Sequence, residues 1–227
     1  MKKIMLPALI LLTVCFPVWA QKNTENTEKP EKTSVAVEDA KETKPVSLGL
    51  VVDNSGSFRM VLEYVIDTTK VVTRNIQTND EAFLVRFISK DNIKTLQDLT
   101  ADKASLYSAA DEMFCEGGLT AIPEALFYSA KKLVDEGKNE QKILVLITDG
   151  ESKSDKKVYA DILGYLKDKK IRVYIIGITM MLEKNIGESK KFLEKLAAET
   201  GGAVIFVDRK TSAADAGNNI TKAFREQ

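Results

Sequence analysis

Three short stretches of the chain carry the side chains best suited to chemistry. Asp53-Asn54-Ser55-Gly56-Ser57 offers a carboxylate and two hydroxyls at alternate positions. Gly118-Leu119-Thr120-Ala121 adds a third hydroxyl, and Thr148-Asp149-Gly150-Glu151 adds a second carboxylate. Asp53, Ser55, Ser57, Thr120 and Asp149 thus form a set of hard oxygen donors. Such a set suits Mg2+, with Mn2+ or Ca2+ as alternatives, and does not suit a metal that selects thiolate or imidazole. Two carboxylates roughly neutralise a dication. If hydroxyls and water make the direct contacts, the ion stays electron-poor and attracts an incoming carboxylate. Taken singly, each stretch has a plainer reading: a serine or threonine helix cap, or an Asp-Gly turn. Their combined order along the chain carries the argument.

Composition narrows the chemistry further. None of the 227 residues is histidine. That removes the usual general base, any Ser-His-Asp or Cys-His arrangement, and imidazole zinc sites. Neither a phosphate-binding G-x-x-x-x-G-K-[ST] loop nor a G-x-S-x-G elbow occurs. Ser55 could act as a nucleophile only with a base, and the neighbouring carboxylates are expected to serve a metal. The chain is therefore read as a non-enzyme. Lys+Arg and Asp+Glu each total 33, so no charge excess points to nucleic acid. A hydrophobic fraction of 44% and a charged fraction of 29% are ordinary for a globular protein.

The elements that must position these residues begin after a separate N-terminal object. Lys2 and Lys3 precede an apolar run from Ile4 to Ala20 that ends in Val18-Trp19-Ala20. Residues 1–20 read as a signal peptide cleaved before Gln21, which places the protein in the periplasm or outside the cell. A retained anchor or a lipoprotein is the lesser alternative, and no transmembrane segment is expected in the mature chain. Residues 21–45 are rich in Glu, Lys, Thr and Asn, which suits a flexible charged leader. Cleavage removes Cys15 and leaves Cys115 alone, so no internal disulfide can form. Cys115 itself reads as a small buried apolar residue.

Residues 46–227 alternate apolar strands with amphipathic helices. Leu48–Val52, Ala82–Ile88, Ile143–Thr148, Ile171–Ile178 and Ala203–Val207 read as strands, and the more polar Ile93–Leu99 as an edge strand. Helices are expected from about Phe58 to Val72, Ala101 to Phe114, Ile122 to Leu133, Tyr159 to Leu166, and around Phe192–Ala197. A weaker helix is expected from Ser212 to Arg225, because Gly217, Asn218 and Asn219 interrupt its middle. The pattern predicts one α/β domain: a Rossmann-like three-layer α/β/α sandwich around a mostly parallel six-stranded sheet with one antiparallel edge strand, with helices on both faces. In such sheets the ligand crevice lies beyond the carboxyl ends of the strands, where the three oxygen-bearing stretches fall.

D-x-S-x-S, a threonine in a loop before a later helix, and an aspartate after a further apolar strand resemble the metal-ion-dependent adhesion site of von Willebrand factor type A domains. Gly118–Leu126, Leu146–Glu151 and Leu196–Gly202 are similar to the exported bacterial branch of that family. The resemblance implies that Ser55, Ser57 and Thr120 approach the ion directly, with Asp53 and Asp149 acting directly or through water. It also implies that the sixth position receives a Glu or Asp carboxylate from a protein partner. In some relatives ligand binding shifts the C-terminal helix. The expected function is metal-dependent protein binding. The alternatives are a metal-dependent hydrolase, or a structural subunit of an envelope complex in which the metal only stabilises the fold. Met180-Met181-Leu182, at the ligand edge, reads as loop packing or as an apolar rim around the partner's acidic residue. Partner identity and oligomeric state are not encoded in these patterns.

Overall fold

The computed structural model describes residues 44–118, 120–152, 155–178 and 186–226. The apolar N-terminal run, nearly all of the charged leader, and Met180-Met181-Leu182 lie outside the described residues.

In chain order the elements are β1 (Val46–Asp53), a 3-10 turn (Gly56–Val61), α1 (Leu62–Arg74), β2 (Glu81–Ser89), β3 (Asn92–Thr100) and α2 (Lys103–Asp111). They continue with α3 (Ile122–Glu136), β4 (Gln141–Thr148), α4 (Lys156–Asp168), β5 (Arg172–Ile178), α5 (Ile186–Thr200), β6 (Val204–Val207) and α6 (Ala213–Arg225). The strands form one sheet in the order β3-β2-β1-β4-β5-β6. Every pairing is parallel except β2 with β3. This is the expected Rossmann-like sheet with a single antiparallel edge strand.

Successive strand residues face opposite sides, so one apolar run feeds two cores. Leu50, Val145 and Tyr174 meet Val65 and Val72 of α1, Leu106 of α2, and Ile220 and Phe224 of α6. Val51, Leu146 and Ile175 meet Leu126 and Leu133 of α3, Leu166 of α4, and Leu193 of α5. Both faces of the central strands are therefore sealed, which is why β1 is buried along its whole length. Among the described residues no helix is long and apolar enough to cross a membrane.

The elements differ from the sequence reading in three informative places. The helix expected from Phe58 begins as a 3-10 turn, and regular α geometry starts only at Leu62. The helix expected over Ala101–Phe114 is shorter at both ends. Asp102 caps its start by accepting from the Ala104 and Ser105 N–H groups. At the other end Glu116 N–H donates to the Asn54 carbonyl at 3.1 Å, drawing the chain away toward the first oxygen-bearing loop. Finally, α6 runs unbroken through Gly217-Asn218-Asn219. Gly217 is buried against α1, where a Cβ would lie 2.5 Å from Val71 Cγ1. Close helix approach, a tertiary requirement, selects that glycine over its poor helix propensity.

At the amino end of the sheet, buried Asp80 accepts from the Val46 N–H at 2.9 Å and the Gln77 N–H at 2.7 Å, and pairs with Arg225 of α6. This clamp fixes α6 to the start of β1.

Candidate functional site

The chain order around β1 creates the site. From β1 the sheet grows toward β2 on one side and toward β4 on the other, so the loops leaving β1 and β4 diverge to opposite faces. Such a switch point leaves a crevice at the strand ends. Asp53 ends β1 and Asp149 directly follows β4.

Asp53 is fully buried. Its Oδ1 accepts the Ser55 N–H at 3.0 Å and its Oδ2 accepts the Thr148 hydroxyl at 2.8 Å. The Thr148 hydroxyl also accepts the Gly150 N–H at 3.2 Å. Asp149 Oδ1 accepts the Glu151 N–H at 2.9 Å, and its Oδ2 accepts the Ser57 hydroxyl at 2.8 Å. Ser57 Oγ lies 3.1 Å from Ser55 Oγ. Because Ser57 gives its proton to Asp149, Ser55 is the donor in that contact. A continuous hydrogen-bonded chain therefore runs from Asp149 through Ser57 to Ser55, with Asp53 behind it.

Thr120 reaches the same place from a different loop. Asn54 Nδ2–H donates to the Phe114 carbonyl at 3.0 Å, and this contact with the Glu116–Asn54 bond holds residues 114–118 beside the first loop. Gly118 then passes the end of β2 so closely that a Cβ would lie 2.5 Å from Ile88 Cγ2 and 2.9 Å from the Ile88 carbonyl oxygen. Ser152 Oγ donates to the Thr120 carbonyl and accepts the Ile122 N–H, both at 3.4 Å, tying the third loop to the start of α3. Ser55, Ser57 and Thr120 all line one cleft of about 300 Å³, together with Gly56, Gly117, Gly118, Glu151 and Ser152. Gly150, at φ +84°, makes the turn that aims Asp149 inward.

The electrostatics are those of an excess of negative charge. Burial, and secondarily the facing Asp149, push the Asp53 carboxyl up to about 7, against the hydrogen bonds from Ser55 and Thr148. Burial likewise raises Asp149, with Glu151 adding to it. Among the described residues no ion pair reaches either carboxylate. Among the described residues both carboxylates are met by neutral donors only.

A family model for the von Willebrand factor type A domain matches residues 48–220. The chain belongs to this family. No curated protein matches the sequence. Among solved structures, the domain resembles an aerotolerance-related membrane protein from Bacteroides fragilis, at 18% identity over 80% of this chain and 100% of that one, with a TM-score of 0.62. The von Willebrand factor domain of a type V pilus tip protein from Porphyromonas gingivalis gives 11% identity over 80% and 95%, with a TM-score of 0.66. A pilus adhesin from Lactobacillus rhamnosus gives 17% identity and a TM-score of 0.65 over 80% of this chain, which spans only 30% of the adhesin. At such identities these likenesses concern the fold.

Of the five oxygen-bearing residues named from the sequence, the fold lines one cleft with Ser55, Ser57 and Thr120 and hydrogen-bonds Asp149 to Ser57 and Asp53 to the Ser55 N–H; sequence reasoning missed the residues that support them. Thr148 and Ser152 each touch a site loop through their hydroxyls. Thr148 carried a readable signal, since the residue before Asp149 ends a buried strand yet is polar. Ser152 carried none. Cys115 is half-buried against the α1–α2 core. Burial, then Asp53, push its thiol above the ordinary value, with Arg59 opposing, which favours the protonated form. Lys167 and Lys169, at the end of α4, pair with Glu199 and Asp168 at the surface.

Proposed function

We propose that this type A domain is a non-catalytic, divalent-metal-dependent protein-binding module, exported to the bacterial envelope. The observation that carries the reading is the Asp149–Ser57–Ser55 hydrogen-bonded chain lying over an uncompensated buried carboxylate, with Thr120 on the same cleft. The donor set fits a hard dication. Among the described residues no cluster of three or more His, Cys, Asp or Glu is placed to hold a metal. Hydroxyls would therefore have to complete any coordination shell. Asp149 accepts the Ser57 hydrogen bond, which leaves the Ser57 lone pair not used by Ser55 available to a cation.

Ser55, Ser57 and Thr120 would hold the ion, with Asp53 and Asp149 supplying its counter-charge directly or through water. A bound Mg2+, Mn2+ or Ca2+ contributes Lewis acidity toward a carboxylate. The protein's part is to keep its own carboxylates back, so that a partner's Glu or Asp completes the shell. The total absence of histidine supports a non-catalytic role. The pilus adhesin and pilus tip protein among the structural neighbours support adhesion or interaction, and the membrane protein supports an envelope location. Export rests on residues 1–20 as a signal peptide, followed by a leader over 21–45 and the binding domain over 46–227.

Calorimetry and thermal unfolding with Mg2+ and Mn2+ test the metal. Heat and stabilisation are expected in the intact protein, and both should vanish in Ser55→Ala and Asp149→Ala. The reading fails if neither ion produces heat or a thermal shift in the unmodified protein. Affinity capture from an envelope extract in Mg2+, eluted with chelator, then tests the partner.

A further inference from the structure

A buried cation lies against the connection that delivers Thr120. Arg86 of β2 is 5% exposed, and its Nε and Nη1 have no hydrogen-bond partner. Among the described residues no ion pair reaches it. Its register partners in the sheet are Val52 of β1 and Lys94 of β3, one apolar and the other of like charge. The group that does meet it is the Phe114 ring, whose centre lies 4.3 Å from the guanidinium carbon. A guanidinium over an aromatic face is attracted by the ring quadrupole, and the attraction grows as water is excluded.

Phe114 is itself 48% exposed, so burial alone is a weak reason for the ring to stay where it is. It is gripped instead at two points from neighbouring strands. Asn54, just past β1, donates from Nδ2 to the Phe114 carbonyl at 3.0 Å, while Arg86 of β2 holds the ring. The Asn54 N–H also donates to the Phe87 carbonyl at 2.8 Å, which fixes the two grips relative to each other. Residues 113–118 form neither helix nor strand, so such contacts set the path of the chain toward Thr120. Neither Arg86 nor Phe114 lines the cleft.

We infer that the Arg86–Phe114 pair is a latch for the metal cleft: Arg86 is a positioning residue that acts through the Phe114 ring to hold the connection carrying Thr120. The absence of a carboxylate beside Arg86 is what makes the ring its best neighbour. The consequence for the cleft rests on the metal-dependent reading above, whereas the grip on residues 113–118 does not. A latch of this kind splits stability from affinity. Replacing a buried, unpaired charge by a flexible apolar chain is neutral or favourable to the fold. Removing the half-exposed ring lets water reach the guanidinium. In both cases the fold survives and the loop is released, the reverse of what a residue that merely packs would show.

The test uses the full chain and the variants Arg86→Met, Phe114→Leu and Phe114→Trp. In chelator, the Tm of Arg86→Met should match or exceed that of the unmodified protein. The Glu116 amide, which donates to the Asn54 carbonyl, should exchange its hydrogen about fivefold faster in Arg86→Met and Phe114→Leu. Mg2+ affinity, read by calorimetry, should fall about fivefold in the same two variants and stay within about twofold in Phe114→Trp, which keeps an aromatic face. Unchanged exchange at Glu116 overturns the latch whatever the metal does. A lower Tm in Arg86→Met with unchanged Mg2+ affinity makes Arg86 a packing residue and overturns the proposal while leaving the metal site standing. Absence of any Mg2+ response in the unmodified protein overturns both the metal site and the latch's role at it.

Discussion

Replacing Asp53 by asparagine separates the cost of its buried charge from its use. In an unfolded chain this carboxyl titrates near 3.8, whereas in the folded protein burial and Asp149 raise it to about 7. A raised carboxyl favours the fold while protonated. That contribution is full below about pH 4 and is lost as pH rises through the folded value near 7. The difference between the two values corresponds to roughly 4 kcal/mol at full ionisation. Asparagine is neutral throughout and nearly isosteric. Its oxygen can keep the Ser55 N–H bond, and its amide can donate to the Thr148 hydroxyl. In the presence of chelator at pH 8, Asp53→Asn should therefore be more stable than the unmodified protein by about 2–4 kcal/mol. At 2–4 °C per kcal/mol for a domain of this size, that is a gain of roughly 5–15 °C in Tm. At pH 4 the two proteins should agree within about 1 kcal/mol. Saturating Mg2+ should stabilise the unmodified protein and leave the variant unmoved, narrowing the gap at pH 8. Differential scanning calorimetry over pH 4–8, with chelator and with Mg2+, reads all of this. A variant that melts below the unmodified protein at pH 8 in chelator would refute the reasoning, because the carboxylate would then be compensated.

Three further outcomes follow from the packing. Asp80→Ala leaves the largely buried Arg225 guanidinium without its carboxylate partner and should cost about 3 kcal/mol, seen as a Tm lower by roughly 6–12 °C, with Mg2+ binding to the surviving fold unchanged. Gly118→Ala forces a methyl group against Ile88 and displaces the loop that delivers Thr120. Its Mg2+ affinity should fall about tenfold while the far-ultraviolet circular dichroism stays the same. Gly217→Val drives α6 away from Val71 and should cost about 2 kcal/mol in urea unfolding, and a neutral result would mean that the two helices are not in close contact.

The apolar periodicities were sufficient to order the strands and helices, because a strand sealed on both faces must be apolar throughout and a covering helix must carry one apolar stripe. The three oxygen-bearing stretches were visible as residue types, and they fall at the carboxyl edge of the sheet, where such folds have their ligand crevice. What sequence could not supply was the difference between the two carboxylates. Asp53 and Asp149 are the same residue type at equivalent strand ends. Only the folded chain puts Thr148 on one and Ser57 on the other, across separations of more than ninety residues. Gly217 shows the same limit from the opposite side: by itself it lowers helix propensity, and only the presence of Val71 on a neighbouring helix makes it a necessity. Local composition decides which elements form and which atoms can act. Contacts between residues far apart in the chain decide which of those atoms are already satisfied, and so which remain to bind.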